Sequence, residues 1–203
     1  MTKWAQLANA ATIEKTIKAL KANGIEAEVV ENGHEAKQKV LELVPKDAEV
    51  FTVTSQTLEA CGINKEINES GNYESVRNIL YSPDKSTKGR EIQKTGSAPD
   101  WVIGSVHAVT VDGQVLIASN SGSQLPAYSY GSTHVIWVVG AQKIVKNMDD
   151  GIKRIYEHSL PLEDERAQKA YGIHSGVSKL LIINREKVPN RIHLIFIKQN
   201  LGF

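Results

Sequence analysis

The amino-acid sequence predicts an α/β protein with an open, mainly parallel sheet, flanking helices and one antiparallel hairpin. Three observations predict this class. Strand-like and helix-like segments alternate over residues 26–62, and a parallel crossover needs a helix's length of chain to return to the sheet. Residues 134–139 are a nearly continuous run of apolar β-formers, as expected for a strand buried on both faces. Residues 108–118 hold two short apolar segments around Asp112-Gly113, a pair that a two-residue type I′ turn favours.

The first half of the chain contains the alternating elements. A helix is predicted over 12–23, because apolar residues recur there at helical spacing, and Thr12 is its expected N-cap. The elements predicted after it are a strand at 26–30, a helix at 33–44, a strand at 49–54 and a helix at 55–62.

The second half adds the hairpin, further strands and two helices. Its predicted elements are a strand at 101–105, hairpin strands at 108–111 and 114–118, a strand at 134–139, helices at 148–158 and 163–171, and strands at 179–183 and 191–197. Asn147 is the expected N-cap of the first of these helices, and Pro161 is expected to end it. Its inner face is predicted to carry Ile152, Ile155 and Tyr156.

Residues 82–100 differ in composition from their surroundings. Ser, Thr, Lys and Gly dominate this stretch, Pro83 and Pro99 lie in it, and Ile92 is among its few apolar residues. This composition predicts an excursion or a mobile loop. Residues 1–203 as a whole are predicted to form a single domain, since the length suits one hydrophobic core.

Charge and hydropathy exclude several classes of partner. Lys and Arg number 24 and Asp and Glu number 23, which gives a net charge of +1 spread along the chain. This balance predicts no nucleic-acid binding and no polybasic membrane anchor. The longest apolar runs are far shorter than the roughly 20 residues that cross a bilayer, and the N-terminal residues form no signal peptide. We therefore expect a soluble, cytoplasmic protein.

The scarcity of cysteine limits the cofactors that the chain can hold. Cys61 is the only cysteine, so it cannot form an internal disulfide or supply a Cys-based zinc or iron–sulfur site, and we expect a buried, inert thiol. The six histidines include no His-Glu-x-x-His pattern and no close pair, so no metal site is predicted. Phosphate-loop, dinucleotide-loop and nucleophilic-serine signatures are also missing, which argues against kinases, simple dehydrogenases and serine hydrolases.

Polar segments follow several of the predicted strands, where ligands of open α/β sheets bind. The first segment contains Thr54 and Ser55, at a strand-to-helix junction where hydroxyls and free amides can hold a carboxylate or phosphate. Helix capping is the alternative explanation for this pair. The second segment is a loop with the composition of one that wraps an anion, or of a plain polar turn. Its candidate ligand-binding residues are Ser119, Ser121, Gly122, Ser123 and Gln124.

The third segment follows the apolar strand. Gly140 permits close backbone approach and Lys143 brings a positive charge, although Lys143 could instead face solvent. Two further residues are candidates in other elements. Arg166 either clamps an anion or lies on a solvated helix face, and His107 is either a proton carrier or a structurally hydrogen-bonded histidine.

Four sequence strings resemble the LUD-domain family, which is named for the lactate-utilisation proteins. They read PDWVIGSVHAVT at 99–110, ASNSGSQLP at 118–126, VVGAQKIV at 138–145 and LGF at 201–203. The resemblance covers nearly the whole chain. It implies a Rossmann-like α/β fold similar to the superfamily of ribose-5-phosphate isomerase, glucosamine-phosphate deaminase and the CoA-transferases.

The resemblance also implies a function. Some relatives act with an iron–sulfur partner in oxidising L-lactate to pyruvate, and longer members carry ferredoxin-like cysteine motifs that this chain lacks. We therefore expect a protein of lactate or related organic-acid utilisation that binds a small anionic metabolite, holds no cofactor and acts with a separate iron–sulfur subunit. Whether the chain is itself an enzyme stays open. The alternatives are a regulatory module that binds a phosphorylated or acyl metabolite and, with least support, a sugar-phosphate isomerase or deaminase. An apolar edge strand would suit a homodimer.

Overall fold

A computed structural model describes residues 3–82 and 85–203 and contains two sheets in that part of the chain. The strands, in chain order, are β1 (Glu26–Val30), β2 (Glu49–Thr52), β3 (Glu74–Ser75), β4 (Trp101–Gly104), β5 (Ala108–Thr110), β6 (Val115–Ser119), β7 (His134–Gly140), β8 (Ile144–Val145), β9 (Lys179–Ile183) and β10 (Ile192–Ile197). The larger sheet has the order β1-β10-β7-β4-β2-β3, and all its pairings are parallel. The predicted mainly parallel α/β fold is therefore confirmed.

The helices flank this sheet and connect its strands. In chain order they are α1 (Ala10–Ala22), α2 (Gly33–Leu43), α3 (Gln56–Ala60), α4 (Ile63–Glu69), α5 (Val76–Leu80), α6 (Lys85–Ser97), α7 (Met148–Arg154) and α8 (Leu160–Tyr171). Short 3₁₀ turns occupy Lys3–Ala5 and Ala141–Lys143, and π turns occupy Ala127–Gly131 and Ile155–Ser159. In the ranges that the structure describes, no helix is both long enough and apolar enough to cross a membrane.

The core lies on both faces of β7. Val135, Trp137 and Val139 belong to one buried apolar cluster, and Ile136 and Val138 belong to a second. Because successive side chains of a strand point to opposite faces, this alternation means that other parts of the chain cover the sheet on both sides. The prediction of a doubly buried strand near the centre of the sheet is confirmed.

The second sheet holds the predicted hairpin. Its order is β8-β5-β6-β9, with β5 antiparallel to β6 and β6 antiparallel to β9. The predicted type I′ turn is wrong, because that turn needs positive φ at both central residues and, of the two, only Gly113 has it, at +80°. The Gly113 amide bonds the Thr110 carbonyl and the Thr110 amide bonds the Gln114 carbonyl. These bonds enclose a three-residue loop with the glycine in the left-handed position, as in a G1 bulge.

Two predicted boundaries in the first half are wrong. The N-cap of α1 is Asn9 rather than Thr12, since the Asn9 side chain accepts a hydrogen bond from the Thr12 amide. β2 ends at Thr52, two residues before the predicted end. Residue propensities predict that an element exists more reliably than they predict where it ends, because a cap depends on one local hydrogen bond.

The stretch predicted as a loop at 82–100 is helical over most of its length. α6 spans Lys85–Ser97 with a non-helical kink at Lys88, so the loop prediction is wrong there, while Pro83 lies outside the described residues. α6 packs against α5, and Ile92 is buried with 7% of its surface exposed. Tertiary packing therefore stabilises a helix that composition alone disfavours. The single-domain assignment stays a prediction.

The segment after α7 also differs from the prediction. Pro161 does not end it, because α7, the π turn Ile155–Ser159 and α8 follow one another without a break. Pro161 lies in the first turn of α8, where a missing N–H costs little. Tyr156, predicted to face inward, is 50% exposed. It lies in the π turn, whose hydrogen bonds span one residue more than those of an α-helix, so the α-helical spacing used for the prediction does not hold there.

Candidate functional site

One cavity of about 670 Å³ lies beyond the carboxyl ends of β2, β4 and β7. The loops after these strands line it, together with the loop after β6 and residues from α5, α6 and α8. The three predicted polar segments therefore converge on one space. The predicted site residues that line it are Thr54, Ser55, His107, Ser119, Ser121, Ser123, Gln124, Lys143 and Arg166.

Gly122 and Gly140, the other two predicted residues, are absent from the lining and have structural roles. Gly122 has φ of +83°, and its amide donates to the Ser119 hydroxyl, so it shapes the loop. A Cβ on Gly140 would overlap the Gln142 amide oxygen. The Gln142 Nε2 group donates to the Leu201 carbonyl at 3.0 Å. Gly140 thus makes room for the side chain that holds the C-terminal segment.

Lys143 is the deepest charged residue of the cavity wall. Only 2% of its surface is exposed, so the solvent-facing alternative is wrong. Its Nζ donates to Thr57 Oγ1 at 3.2 Å and to Ser105 Oγ at 3.1 Å. Among the described residues no carboxylate forms an ion pair with it. Burial, and then the positive charge of Arg154, hold the pKa of Lys143 well below 10.5.

Arg154 is a second buried cation, behind the cavity wall. It belongs to the inner face of α7, and its Nη1 donates to the His107 carbonyl at 2.6 Å and to Ser159 Oγ at 3.0 Å. Its Nε and Nη2 are buried without a partner in the described part of the chain. Burial lowers the pKa of Arg154 to about 10. Lys143 and Arg154 are therefore two buried basic groups without an acidic partner among the described residues.

His107 is a neutral ring on which both of these basic groups act. The Ala118 amide donates to its Nδ1 at 3.1 Å, which requires Nδ1 to be unprotonated and places the ring proton on Nε2. Burial, then Lys143 and Arg154, lower the pKa of His107 to about 3. Nδ1 therefore has the role of a structurally hydrogen-bonded histidine, the second of the two roles that the sequence left open. Nε2–H can serve as a hydrogen-bond donor.

The strand-to-helix junction after β2 combines capping with a basic group. The Ser55 hydroxyl accepts from the Leu58 amide and so caps α3, as the capping alternative expects. The Thr54 hydroxyl instead accepts from Arg77, at 3.3 Å from both of its terminal nitrogens. Arg77 also donates to the Thr52 carbonyl at 3.1 Å and lines the cavity. Arg77 was not predicted, because it follows a two-residue strand with a weak sequence signal.

The serine-rich loop after β6 largely satisfies its own polar groups. Ser119 Oγ donates to Gln124 Oε1 at 3.0 Å, and Ser121 Oγ donates to Ser123 Oγ at 3.1 Å. These bonds match the polar-turn alternative, while the same side chains line the cavity. A ligand would therefore exchange hydrogen bonds with the loop rather than fill empty positions.

Arg166 is paired rather than free. Its Nε and Nη2 bind the two oxygens of Glu163 at 2.7 and 2.6 Å, and this pairing raises the pKa of Arg166. Its guanidinium also lies over the Tyr171 ring, 5.4 Å from the centroid. An anion at Arg166 would have to compete with Glu163.

Metal ligands are not grouped in the part of the chain that the structure describes. No set of three or more His, Cys, Asp or Glu side chains there could hold an ion. Cys61 is buried, and burial raises its pKa to about 11, as an inert thiol requires.

The sequence reasoning missed the groups that surround Lys143. Thr57 and Ser105 gave no signal beyond their polar character. Arg154 did give one, because it occupies the helical position that Gly151 and Ile155 mark as the inner face of α7, where a charged residue is unusual. Overall, three basic side chains and one acidic side chain line the cavity, namely Arg77, Lys143, Arg166 and Glu163. This excess of basic groups suits an anionic ligand.

Comparisons with known proteins agree with this architecture. The model of a family described as the LUD domain matches residues 13–197. The crystal structure of a DUF162 family protein from Deinococcus radiodurans is similar, with a TM-score of 0.58 and 13% identity, over 95% of this chain and 99% of that one. Ribose 5-phosphate isomerase from Plasmodium falciparum has a TM-score of 0.39 and 12% identity, over 84% of this chain and 96% of that one. No curated protein matches the chain. The first structure agrees in fold, and the second is too distant to support an argument.

Proposed function

This chain belongs to the LUD domain family, whose model matches residues 13–197, and from that premise we propose that it binds a small anionic metabolite in the cavity beside Lys143. The family is named for lactate-utilisation proteins, so the process to which we assign the chain is lactate or related organic-acid utilisation. A separate iron–sulfur subunit would carry the electrons, because this chain has a single cysteine.

The observation that carries the proposal is the pair of buried basic groups that have no acidic partner in the described ranges. Lys143 is 2% exposed and Arg154 is fully buried, and no carboxylate in the described ranges pairs with either. A buried charge is costly unless an opposite charge or several hydrogen bonds offset it. An anion in the cavity would supply the opposite charge that these groups lack, and it would favour the charged form of Lys143.

The remaining groups of the wall would orient the ligand. Ser121, Ser123 and Gln124 offer hydroxyl and amide groups, and His107 offers Nε2–H. Arg77 offers a guanidinium whose hydrogen bonds go to the Thr52 carbonyl and the Thr54 hydroxyl and which lies over the Tyr81 ring, 5.0 Å from the centroid. A carboxylate favours such donors, since charge-assisted hydrogen bonds are stronger than neutral ones.

Calorimetric titration of the purified chain with lactate tests the proposal. We expect Lys143→Met to lower the affinity about tenfold to a hundredfold, because a hydrogen bond to a charged group contributes roughly 1.5 to 3 kcal/mol. Lys146→Met is the matched control, since Lys146 is exposed and lies three residues further along. Equal lactate affinities for the two variants would show that Lys143 does not contact the ligand.

One observation favours the second candidate, a regulatory module for a phosphorylated or acyl metabolite. The cavity volume of about 670 Å³ is typical of sites for drug-sized ligands and exceeds what a three-carbon acid fills. Titration with a sugar phosphate and an acyl-CoA distinguishes the candidates, because the regulatory candidate requires tighter binding of one of these than of lactate. Genes for cysteine-rich oxidoreductase subunits beside this one would favour the first candidate, and an isolated gene would favour the second.

A further inference from the structure

The hydrogen bonds around the Lys143 nitrogen leave one of its tetrahedral positions unused. Thr57 Oγ1 donates its own proton to the Leu201 carbonyl at 3.1 Å, so it meets Lys143 as an acceptor. Ser105 Oγ is the other acceptor. An ammonium has three N–H groups to place, and one would stay unsatisfied among the described residues. A neutral amine has two N–H groups, which these two oxygens satisfy, and its lone pair occupies the remaining position.

We propose that Lys143 is a nucleophile that forms an imine with the carbonyl carbon of a 2-oxo acid bound in the cavity. The inference rests on the proposed function and deepens it, because it names the class of anion: a carboxylate with an adjacent ketone or aldehyde, of which pyruvate is the smallest ketone. A lysine desolvated beside a second cation is one of the recurrent ways in which proteins activate an amine.

The reaction balances without an oxidant or reductant. The Lys143 lone pair attacks the carbonyl carbon, the C=O π electrons move to oxygen, and the alkoxide takes up a proton to give a carbinolamine. The nitrogen then loses its protons and the hydroxyl leaves as water, so that amine plus ketone gives imine plus one water. Protonation of the imine nitrogen restores a positive charge where the lysine stood.

The surroundings of Lys143 suit these steps. His107 is held neutral, and its Nε2–H has no partner among the described residues. His107 and Lys143 line the same cavity, so this N–H would bind the carbonyl oxygen as it gains charge. Arg154 lies behind His107, bound to its carbonyl oxygen. Its charge disfavours an ammonium at Lys143 and thereby keeps the amine in its nucleophilic form.

Reductive trapping tests the inference directly. The purified chain is incubated at neutral pH with pyruvate and cyanoborohydride, which delivers hydride to an imine carbon, and the carboxyethyl-lysine is located by peptide mass spectrometry. We expect labelling at Lys143 to exceed labelling at Lys146 by about tenfold or more, since each unit by which the pKa falls below 10.5 raises the neutral-amine fraction about tenfold. Lactate, which has no carbonyl at C2, is the matched ligand and should give no adduct.

Each outcome decides the inference. Labelling concentrated at Lys143 supports it, and Lys143→Met should then lose the adduct while Lys146→Met keeps it. Peptide mapping of the unmodified chain suffices if Lys143→Met does not fold. Equal labelling of Lys143 and Lys146, or no adduct, overturns the inference. If pyruvate binds by calorimetry without an adduct, imine formation is wrong and the anion-binding proposal stands. If Lys143 is labelled although lactate does not bind, the imine stands and the lactate assignment is wrong.

Discussion

Two buried basic groups of the candidate site, Lys143 and Arg154, have no acidic partner among the residues that the structure describes. The sequence indicates Lys143 as a charge at a strand end, but the structure makes it a buried amine held by two hydroxyls. Arg154 was not predicted as a site residue, because a charged residue on a helix is usually solvated. Which charge is buried depends on the side of the helix that packs, and the pattern of neighbouring apolar residues indicates that side only weakly.

At the residue scale, His107 predicts how stability depends on pH. Its pKa is about 3 in the folded chain against an ordinary 6.5, so between these values the unfolded chain takes up a proton that the folded chain does not. The contribution of this group to stability is therefore present above pH 6.5 and is lost as pH falls toward 3. The free energy of urea unfolding should be smaller at about pH 5 than at about pH 7.

The substitution His107→Asn isolates this effect. The Asn oxygen can still accept a hydrogen bond from the Ala118 amide but does not titrate, so the fall in unfolding free energy between the two pH values should be smaller. His34→Asn is the control, because His34 is exposed, and it should lose as much stability as the unmodified chain. Equal losses for both variants would assign the pH dependence to other groups.

Gly104 permits a second residue-scale prediction. A Cβ there would overlap the Tyr128 hydroxyl and lie 2.6 Å from Val53 Cγ2, so Gly104→Ala should destabilise the fold by about 3 kcal/mol in urea unfolding. Gly176→Ala is the matched control, since a Cβ there would lie 3.8 Å from Asn120 Oδ1, an ordinary van der Waals distance, and it should change stability by no more than about 0.5 kcal/mol. Tyr128→Phe removes the overlapping oxygen and should reduce the cost of Gly104→Ala; an unchanged cost would locate the clash at Val53.

At the element scale, existence and type were predictable and ends were not. The alternation over 26–62 and the strand at 134–139 appear as predicted because hydrophobic periodicity follows directly from which face is buried. The hairpin also forms, but Gly113 sits in a three-residue loop because register depends on how β5 aligns with β6. α6 forms where composition predicts a loop, because its packing against α5 stabilises it.

The N-terminal cap of α1 gives a prediction at this scale. The Asn9 side chain accepts from the Thr12 amide at 2.9 Å, so Asn9→Ala should lower the free energy of urea unfolding by about 1 kcal/mol. Thr12→Ala is the comparison that the sequence prediction demands, and it should change stability by no more than about 0.5 kcal/mol. A larger loss of stability for Thr12→Ala than for Asn9→Ala would show that Thr12, and not Asn9, is the N-cap of α1.

At the scale of the whole molecule, the cavity joins elements from distant parts of the chain. Its wall includes the loops that follow β2, β4 and β7, which meet at the carboxyl edge of the parallel sheet. It also includes the loop after β6, a strand of the other sheet, and residues of α8, which lies much later in the chain than β6. The edge strand β9 leaves Leu180 and Ile182 partly exposed, at 38% and 36%. An apolar edge strand of this kind is what the homodimer prediction requires, and the homodimer stays a prediction. The cytoplasmic location also stays a prediction.

Anion binding by the assembled cavity should be coupled to proton uptake. An anion beside Lys143 favours its charged form, and the pKa of that group is lowered in the free chain, so lactate binding at about pH 7 should take up a fraction of a proton. Calorimetry in two buffers of different ionisation enthalpy measures this uptake. Lys143→Met should abolish it and Lys146→Met should preserve it; heats that do not depend on the buffer would mean that Lys143 is already charged.

The sequence by itself determined the fold class, the central strand, the hairpin, the family resemblance and most of the polar residues of the cavity. These features are local: each follows from the spacing of apolar residues, from turn chemistry or from a position just after a strand. Only the tertiary structure decided that Lys143 is buried and donates hydrogen bonds to the Thr57 and Ser105 hydroxyls. It also decided that Arg154, which binds the His107 carbonyl, has no acidic partner in the described part of the chain. The physical reason is that burial and charge balance are properties of neighbours in space, and those neighbours come from strands and helices far apart in the chain.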